Sequence, residues 1–357
     1  MNRPMIRTAA VVLGVSLAAL PAAARAEQFP TVYPSVRALG MGGAYTAVAD
    51  DAGALFYNPA GLTRVEEVQL DLVNLEAEAS EDAKTLVDDL QDVDANDVAG
   101  ADAVIRSHVG EHFRLRVDTF PNMVTRDFGV GFLVQATADG EFHSLVNPRV
   151  DVDARVDTAG VVSLAHAYGP DNRLALGATG KVVRRQGGSR SYTAVDVASE
   201  NFDPFENLDD AEVDAAFDLG AQFRPDLPFS PTVGVAALNL TDLDFGTLGT
   251  VPYQLNVGVS VEPNLGPVGL ILAADWVDVT NNLTSDEDTR KRTNLGAEAR
   301  LGKLLAVRAG YHQGYYTAGA TLDVWVVKVD VATYAEELGA YGGQRDDRRY
   351  IVRLDLF

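Results

Sequence analysis

A chain of 357 residues with a formal charge of −22, 51 acidic side chains against 29 basic, and no cysteine excludes several classes at once. A surface this acidic, with no Lys/Arg stripe, leaves a nucleic-acid backbone without a partner. With no cysteine there is no disulfide, no thiolate metal site and no lipid-bearing cysteine behind an export leader, so the fold must hold by packing or by a closed sheet.

The chain opens with Arg3 and Arg7, an apolar run from Ala9 to Leu20 and the small-residue site Ala24-Arg25-Ala26. That three-part layout is a secretory signal, and its apolar core is too short to span a bilayer. Residues 1–26 are therefore expected to be removed, leaving Glu27 first. Three arginines and no acid go with them, which moves the charge from −22 to −25. Beyond Glu27 no apolar run approaches the roughly 18 to 20 residues of a spanning helix; the longest is near Val268 to Ala274. The mature chain is thus either a periplasmic β-protein or a membrane barrel, the only other structure that satisfies every backbone group in lipid.

From Arg37 to Leu62 the sequence reads RALGMGGAYTAVADDAGALFYNPAGL. Gly40-Met41-Gly42-Gly43 permits tight backbone turns, a short helix is expected over Ala44 to Ala54, and Pro59 pushes Asn58 toward extended geometry, freeing its amide to meet strand or leader backbone. This stretch resembles the N-terminal segment of the FadL-type outer-membrane transporters and their relatives. The resemblance implies a hatch over 27–66 that folds back into the bore of a barrel over 67–357, with Gly42, Gly43, Asn58, Pro59 and Ala60 as candidate gating residues. Arg308 to Leu338 looks closer to the PorV-like and TraF-like exported barrels, which share the leader. The resemblance covers the leader and roughly the last hundred residues; the middle is read from periodicity.

Strand candidates begin at Val68 to Glu76. Ser80 then caps a helix carrying Glu81 and Asp82 in its first turn, with Ala83, Leu86, Val87 and Leu90 at helical spacing, and a second short helix starts after Asn96. The stretch from Ser80 to about Gly110 reads as a helical insertion projecting from one rim. Further on, period-two alternation sets Phe217, Leu219, Ala221 and Phe223 against Asp218, Gly220, Gln222 and Arg224. The same pattern returns at Leu255 to Val261, Leu295 to Leu301 and Leu305 to Tyr311, so each segment has one apolar and one polar face. Tight turns such as Leu265-Gly266-Pro267 alternate with long charged excursions at Ser199 to Asp210 and Asn281 to Arg292, as periplasmic turns alternate with outer loops. The candidate strands are compatible with a count of roughly 12 to 16, and the resemblance to FadL-like barrels implies 14, so the predicted fold is an all-β antiparallel transmembrane barrel of about 14 strands. The chain closes on IVRLDLF, where Val352, Leu354 and Leu356 form one stripe while Arg353 and Asp355 share the face of Phe357; a slip or bulge beside Phe357 would bring the terminal aromatic onto the apolar face.

No catalytic constellation emerges, and no cofactor is expected. His108 and His112 have helical spacing, but Val109 stands where a zinc-protease motif needs glutamate. Gly187-Gly188-Ser189-Arg190 lacks a nucleophile elbow and reads as a hairpin turn. Asp92, Asp94 and Asn96 open like a calcium loop, but Asp97 and Ala103 occupy the positions that need glycine and glutamate. Inward charges such as Lys181, Asp218, Arg224, Glu298, Arg300 and Arg308 are read as structural filling of the bore. Two functions compete: passive uptake of hydrophobic compounds, such as long-chain fatty acids or hydrocarbons, through a hatch-gated bore; and a non-transporting barrel that docks a protein partner at its rim. The first calls for an aromatic-lined cavity, the second for a charged bore. Outer-membrane lipid and lipopolysaccharide are the expected surroundings in both.

Overall fold

The computed structural model describes residues 31–356, except 92, 95, 200–202, 207, 209–210 and 284–287. The expected leader at 1–26, the terminal Phe357 and Asp92 lie outside the described residues. Fourteen antiparallel strands close into one barrel. They are β1 (Gln69–Asp71 and Val73–Ser80), β2 (His112–Thr119 and Asn122–Thr125), β3 (Phe128–His143), β4 (Arg149–Tyr168), β5 (Leu174–Thr193), β6 (Glu212–Phe223) and β7 (Thr232–Leu238). The second half comprises β8 (Gln254–Val261 and Asn264–Leu265), β9 (Val268–Trp276), β10 (Thr293–Leu301), β11 (Leu305–His312), β12 (Tyr315–Val324), β13 (Val327–Glu337) and β14 (Asp346–Leu356). Each strand pairs with its sequence neighbours, and β14 pairs with β1 to remove the last edge. Gly187 to Arg190, expected to be a hairpin turn, runs inside β5 paired with Val152 to Arg155 on β4, because its glycines cost a strand little when a long partner supplies the ladder.

Polarity is inverted relative to a soluble sandwich. Leu295, Val307, Leu322, Val352 and Leu354 point outward and are exposed, whereas Asn294, Glu298, Arg308, Arg353 and Asp355 point inward and are buried. Along β5 the outward stripe stays apolar from Leu174 to Val182, about 27 Å of strand, and turns polar at Arg184 and Gln186. That is the lipid-facing band of a membrane barrel. At the C-terminus β14 pairs without interruption through Leu356 on both sides, so there is no bulge up to that residue and the apolar stripe is Val352, Leu354 and Leu356.

Connections differ between rims. Turns such as Arg126-Asp127, Gly266-Pro267 and Trp325-Val326 close one end; the helical insertion and the segments 194–211, 239–253, 277–292 and 338–345 emerge at the other. The leader enters, and β14 ends, at the short-turn rim. Helices α1 (Glu81–Gln91) and α2 (Val98–Ser107) form as their caps dictate: Ser80 Oγ accepts from Ala83 N at 3.2 Å and Asp97 accepts from Gly100 N at 3.0 Å. Their apolar faces, Ala83, Leu86, Ala101 and Ile105, pack against Phe113, Phe142, Val150 and Val152. These strand residues alternate with the inward ones, so the helices lie as a collar on the outer surface of β2–β4 above the lipid band. They do not line the mouth.

Candidate functional site

Residues 31–64 fill the bore. The expected helix over 44–54 does not form: short helices occupy Val36–Gly40 and Ala54–Tyr57, a 3-10 turn occupies Pro59–Arg64, and 44–53 runs in turns. The reason lies in side chains of the wall and of the plug. Asp275 Oδ2 accepts from Tyr45 N at 2.9 Å and Thr46 N at 2.7 Å, N–H groups that a helix leaves free in its first turn. The Thr46 carbonyl, by contrast, accepts from Asn58 at 2.7 Å and from Gln222 at 3.2 Å, and the Ala47 carbonyl from Arg64 at 3.0 Å, so carbonyls that a helix would pair with the Asp50 and Asp51 N–H groups are taken by side chains.

Arg37 is the hub of the plug. It donates to Glu298 on β10 at 3.0 and 3.1 Å, to Asp50 at 2.5 Å, to Asp51 at 2.9 Å and to the Tyr45 hydroxyl at 2.8 Å. Glu298 also receives Arg300 and Arg308, each at 2.5 Å. The plug's face toward the short-turn rim is self-neutralised, with Arg64 paired to Glu262 and within 3.8 Å of Asp50.

The five candidate gating residues fall on two sectors of wall. Gly42 and Gly43 adopt positive φ, 64° and 77°, against β10–β11; a Cβ on Gly42 would stand 2.6 Å from Leu295 O. Asn58, Pro59 and Ala60 seat on β5–β7. Asn58 is extended (φ −164°, ψ 103°) and fully buried. Its Nδ2 donates to Thr46 O at 2.7 Å, and more weakly to Ala221 O and Val235 O at 3.3 and 3.4 Å, while its Oδ1 accepts from Ala60 N at 3.2 Å. Thr46 thereby joins the Asn58 seat to Asp275. Sequence reasoning missed Arg37, Asp275 and the grouping around Glu298; a lone basic residue opening the leader motif and a carboxylate on an inward strand position were the available signals.

The wall has one register break. Asp71 pairs with Asn122 but Glu76 with Asp118, so β1 carries an extra residue there. Asn74 spans the gap, its side chain donating to Phe120 O at 2.7 Å and accepting from Phe120 N at 2.6 Å. Behind it Tyr33 and Phe56 of the plug pack on Phe120, ring centroids 4.9 and 5.3 Å away.

Toward the long-loop rim the bore is mostly ionic: Arg116 pairs with Glu76 at 2.7 Å and Glu78 at 2.9 Å, Arg114 with Asp139 at 2.8 Å. One sector differs. Ala159, Val161, Val183 and Ala216 face inward on β4–β6 and form one cluster with the plug's Leu55 and Leu62 and with Leu243, Phe245 and Val251 of the 239–253 hairpin. Lys181–Asp218 at 2.8 Å bounds the patch on the plug side and Arg185–Asp157 at 2.8 Å on the mouth side. Two cavities open at the rims, about 170 Å³ beside Asp82 and Asp347 and about 240 Å³ beside Glu262 and Arg300; neither has an aromatic lining residue.

Neither a family model nor a curated protein matches the sequence. Solved structures do match in fold. The Pseudomonas putida toluene transporter TodX is 11% identical over 92% of this chain and 99% of its own, with a TM-score of 0.54. The Ralstonia pickettii toluene transporter TbuX is 13% identical over 93% and 98%, with a TM-score of 0.52. A TodX deltaS2S3 mutant described as a monoaromatic hydrocarbon channel is 12% identical over 90% and 98%, with a TM-score of 0.53. This chain has the FadL/TodX-type barrel fold.

Proposed function

We propose that the protein is an outer-membrane barrel, delivered by a cleaved leader, that passes small hydrophobic compounds such as long-chain fatty acids or hydrocarbons, with the plug as gate. The carrying observation is the apolar sector: where the bore toward the long-loop rim is otherwise mostly ionic, Val161, Val183 and Ala216 connect the outer hairpin to Leu55 and Leu62 of the plug. An uncharged solute desolvates at no cost along such a surface and meets a penalty where buried ion pairs line the bore and would have to be separated. Lipopolysaccharide slows direct diffusion of apolar solutes, which gives such a path its use.

In this closed form the sector is filled by side chains, and passage requires the plug to shift. The plug is seated at Asn58, Asp275 and Glu298 by side-chain contacts and not by strand pairing with the wall, which suits a plug that moves. Uptake of a labelled long-chain fatty acid by a strain lacking its own transporter tests the reading, after heat-shifted gel migration has verified insertion. Restoration by the intact chain, and a changed rate with Asn58→Ala, is the expected result; equal uptake with and without the inserted protein overturns it. The second reading, a barrel that docks a protein partner at its rim, is favoured by the ionic filling of the remaining bore and would then stand.

A further inference from the structure

The segment 239–253 leaves the wall after β7, turns into the bore and returns to β8. Leu243–Asp244 pairs with Thr250–Val251, and Gly246 and Gly249, both at positive φ with open space around them, make the tip. The hairpin is amphipathic. Leu243, Phe245 and Val251 are buried against the apolar sector, while Asp242, Asp244, Thr247 and Thr250 face solvent.

Apart from the Arg185 contact at its free end, and from Tyr253 O at its return to β8, which accepts from Asn282 at 3.3 Å, its ties to the rest of the barrel run to one side. Asn239 N donates to Asp218 Oδ1 at 2.7 Å, Thr241 Oγ1 to Ala215 O at 3.1 Å and Asp244 N to Asp214 Oδ2 at 2.8 Å, every acceptor belonging to β6. Asn239 and Asp242 hold positive φ, 53° and 51°, at the point where the chain leaves the wall. At the free end Arg185 is the catch. Asp157 pins its guanidinium through two parallel bonds of 2.8 and 2.9 Å, its face lies 4.5 Å from the Phe245 ring centroid, and Nη1 donates to Leu248 O at 3.4 Å.

We infer that the 239–253 hairpin is a second gate, a flap hinged on β6 and latched by Arg185 on Phe245, which closes the apolar sector from outside while the plug closes it from within. Its role in passage rests on the function proposed above; its motion does not. The flap covers a greasy seat with its own greasy face, so an apolar solute competes with Phe245, Leu243 and Val251 for the same surface. The bore then has two doors in series, and apolar solute favours the open flap by taking the seat its side chains leave.

The chain has no native cysteine, so a single Val251→Cys reports on the flap. Reaction of the full mature protein with a membrane-impermeant maleimide is expected to be slow, and about tenfold faster when Phe245→Leu removes the desolvated cation–π contact but keeps the apolar bulk. Arg185→Lys, which keeps the charge opposite Asp157, is expected to speed it likewise. Equal rates in all three proteins, each showing heat-shifted migration, overturn the flap. Independently, an Arg185→Cys/Leu248→Cys staple across the latch is expected to stop fatty-acid uptake until reductant is added; undiminished uptake by the stapled protein also overturns it. If the unstapled protein takes up nothing, the proposed transport fails, and the maleimide rates still decide whether the flap opens.

Discussion

Gly220 on β6 lies directly beneath Asn58 of the plug: a Cβ at position 220 would stand 2.1 Å from Asn58 Oδ1 and 2.8 Å from Pro59 Cδ. The same holds at Gly177, where it would meet Pro59 and Ala60 backbone at 2.5 Å. These strand glycines let two backbones touch. Gly220→Ala is expected to lift the plug from its seat at a cost of about 1–3 kcal/mol, the range for overpacking, read as a lower midpoint of the heat-shift transition and faster proteolysis between residues 31 and 64. Gly160→Ala is the control, because a Cβ there meets nothing within 4 Å.

Asn58 is both donor and acceptor, and the two roles are separable. Asn58→Ala leaves the buried Ala60 N–H without its acceptor, while Thr46 O keeps Gln222 Nε2 at 3.2 Å, for about 1–3 kcal/mol. Asn58→Asp is expected to be worse, since it sets an anionic oxygen against the Thr46, Ala221 and Val235 carbonyls that now face Nδ2. Thermal midpoints in the order Asn, Ala, Asp check this; an aspartate variant as stable as the native chain contradicts the assigned amide orientation.

Glu298 holds three guanidiniums, from Arg37, Arg300 and Arg308, and is itself fully buried. Glu298→Gln removes the anion that the three share, but Arg37 keeps Asp50 and Asp51 and Arg308 keeps Asp330 at 3.6 Å, so the expected cost is about 3 kcal/mol, the low end of the penalty for breaking a buried ion pair from one side. Arg37→Ala is expected to release the plug while the barrel still closes. Lys303→Ala serves as the comparison, since its pair with Glu67 sits in solvent and its loss should leave the midpoint unchanged.

The barrel was legible because period-two alternation is a local signal: Phe217 to Arg224 carries its inward and outward faces in the residues themselves. Rim asymmetry followed from turn length, whereas the strand count came from the resemblance, the periodicity alone being compatible with roughly 12 to 16 strands. Asn58, extended ahead of Pro59, was readable for the same reason. The helix expected over 44–54 was not, because its Thr46 and Ala47 carbonyls are taken by side chains brought there by the fold, Gln222 of the wall and Asn58 and Arg64 of the plug. Arg37 and Glu298 likewise acquire meaning only through closure of the sheet. The 239–253 hairpin was hidden differently: Leu243, Phe245, Leu248 and Val251 have a strand's alternation over too short a run, and only the barrel supplies the apolar wall they meet.

His108 offers a pH-dependent test of the collar. It ends α2, is 3% exposed, and both ring nitrogens meet carboxylates: Nε2 faces Asp89 of α1 at 3.0 Å and Nδ1 contacts Glu111, while the ring lies on Phe142 of β3 at a centroid distance of 5.5 Å. A neutral imidazole has one N–H and cannot satisfy both acids, so this geometry selects the imidazolium. Burial opposes that charge, but the hydrogen bonds and charges of Glu111 and Asp89 outweigh it and raise the pKa above the ordinary 6.5. Because the folded value is the higher one, the stabilisation is complete below the unfolded value and is lost as pH rises through the folded one. Hydrogen exchange in α1 and α2 is therefore expected to quicken, beyond the intrinsic base-catalysed rate, as pH climbs above 6.5, while exchange in the barrel strands keeps the intrinsic slope. His108→Gln, which keeps a neutral donor, should remove the excess slope and exchange faster at pH 6; an unchanged profile in that variant would show that His108 does not fasten the collar.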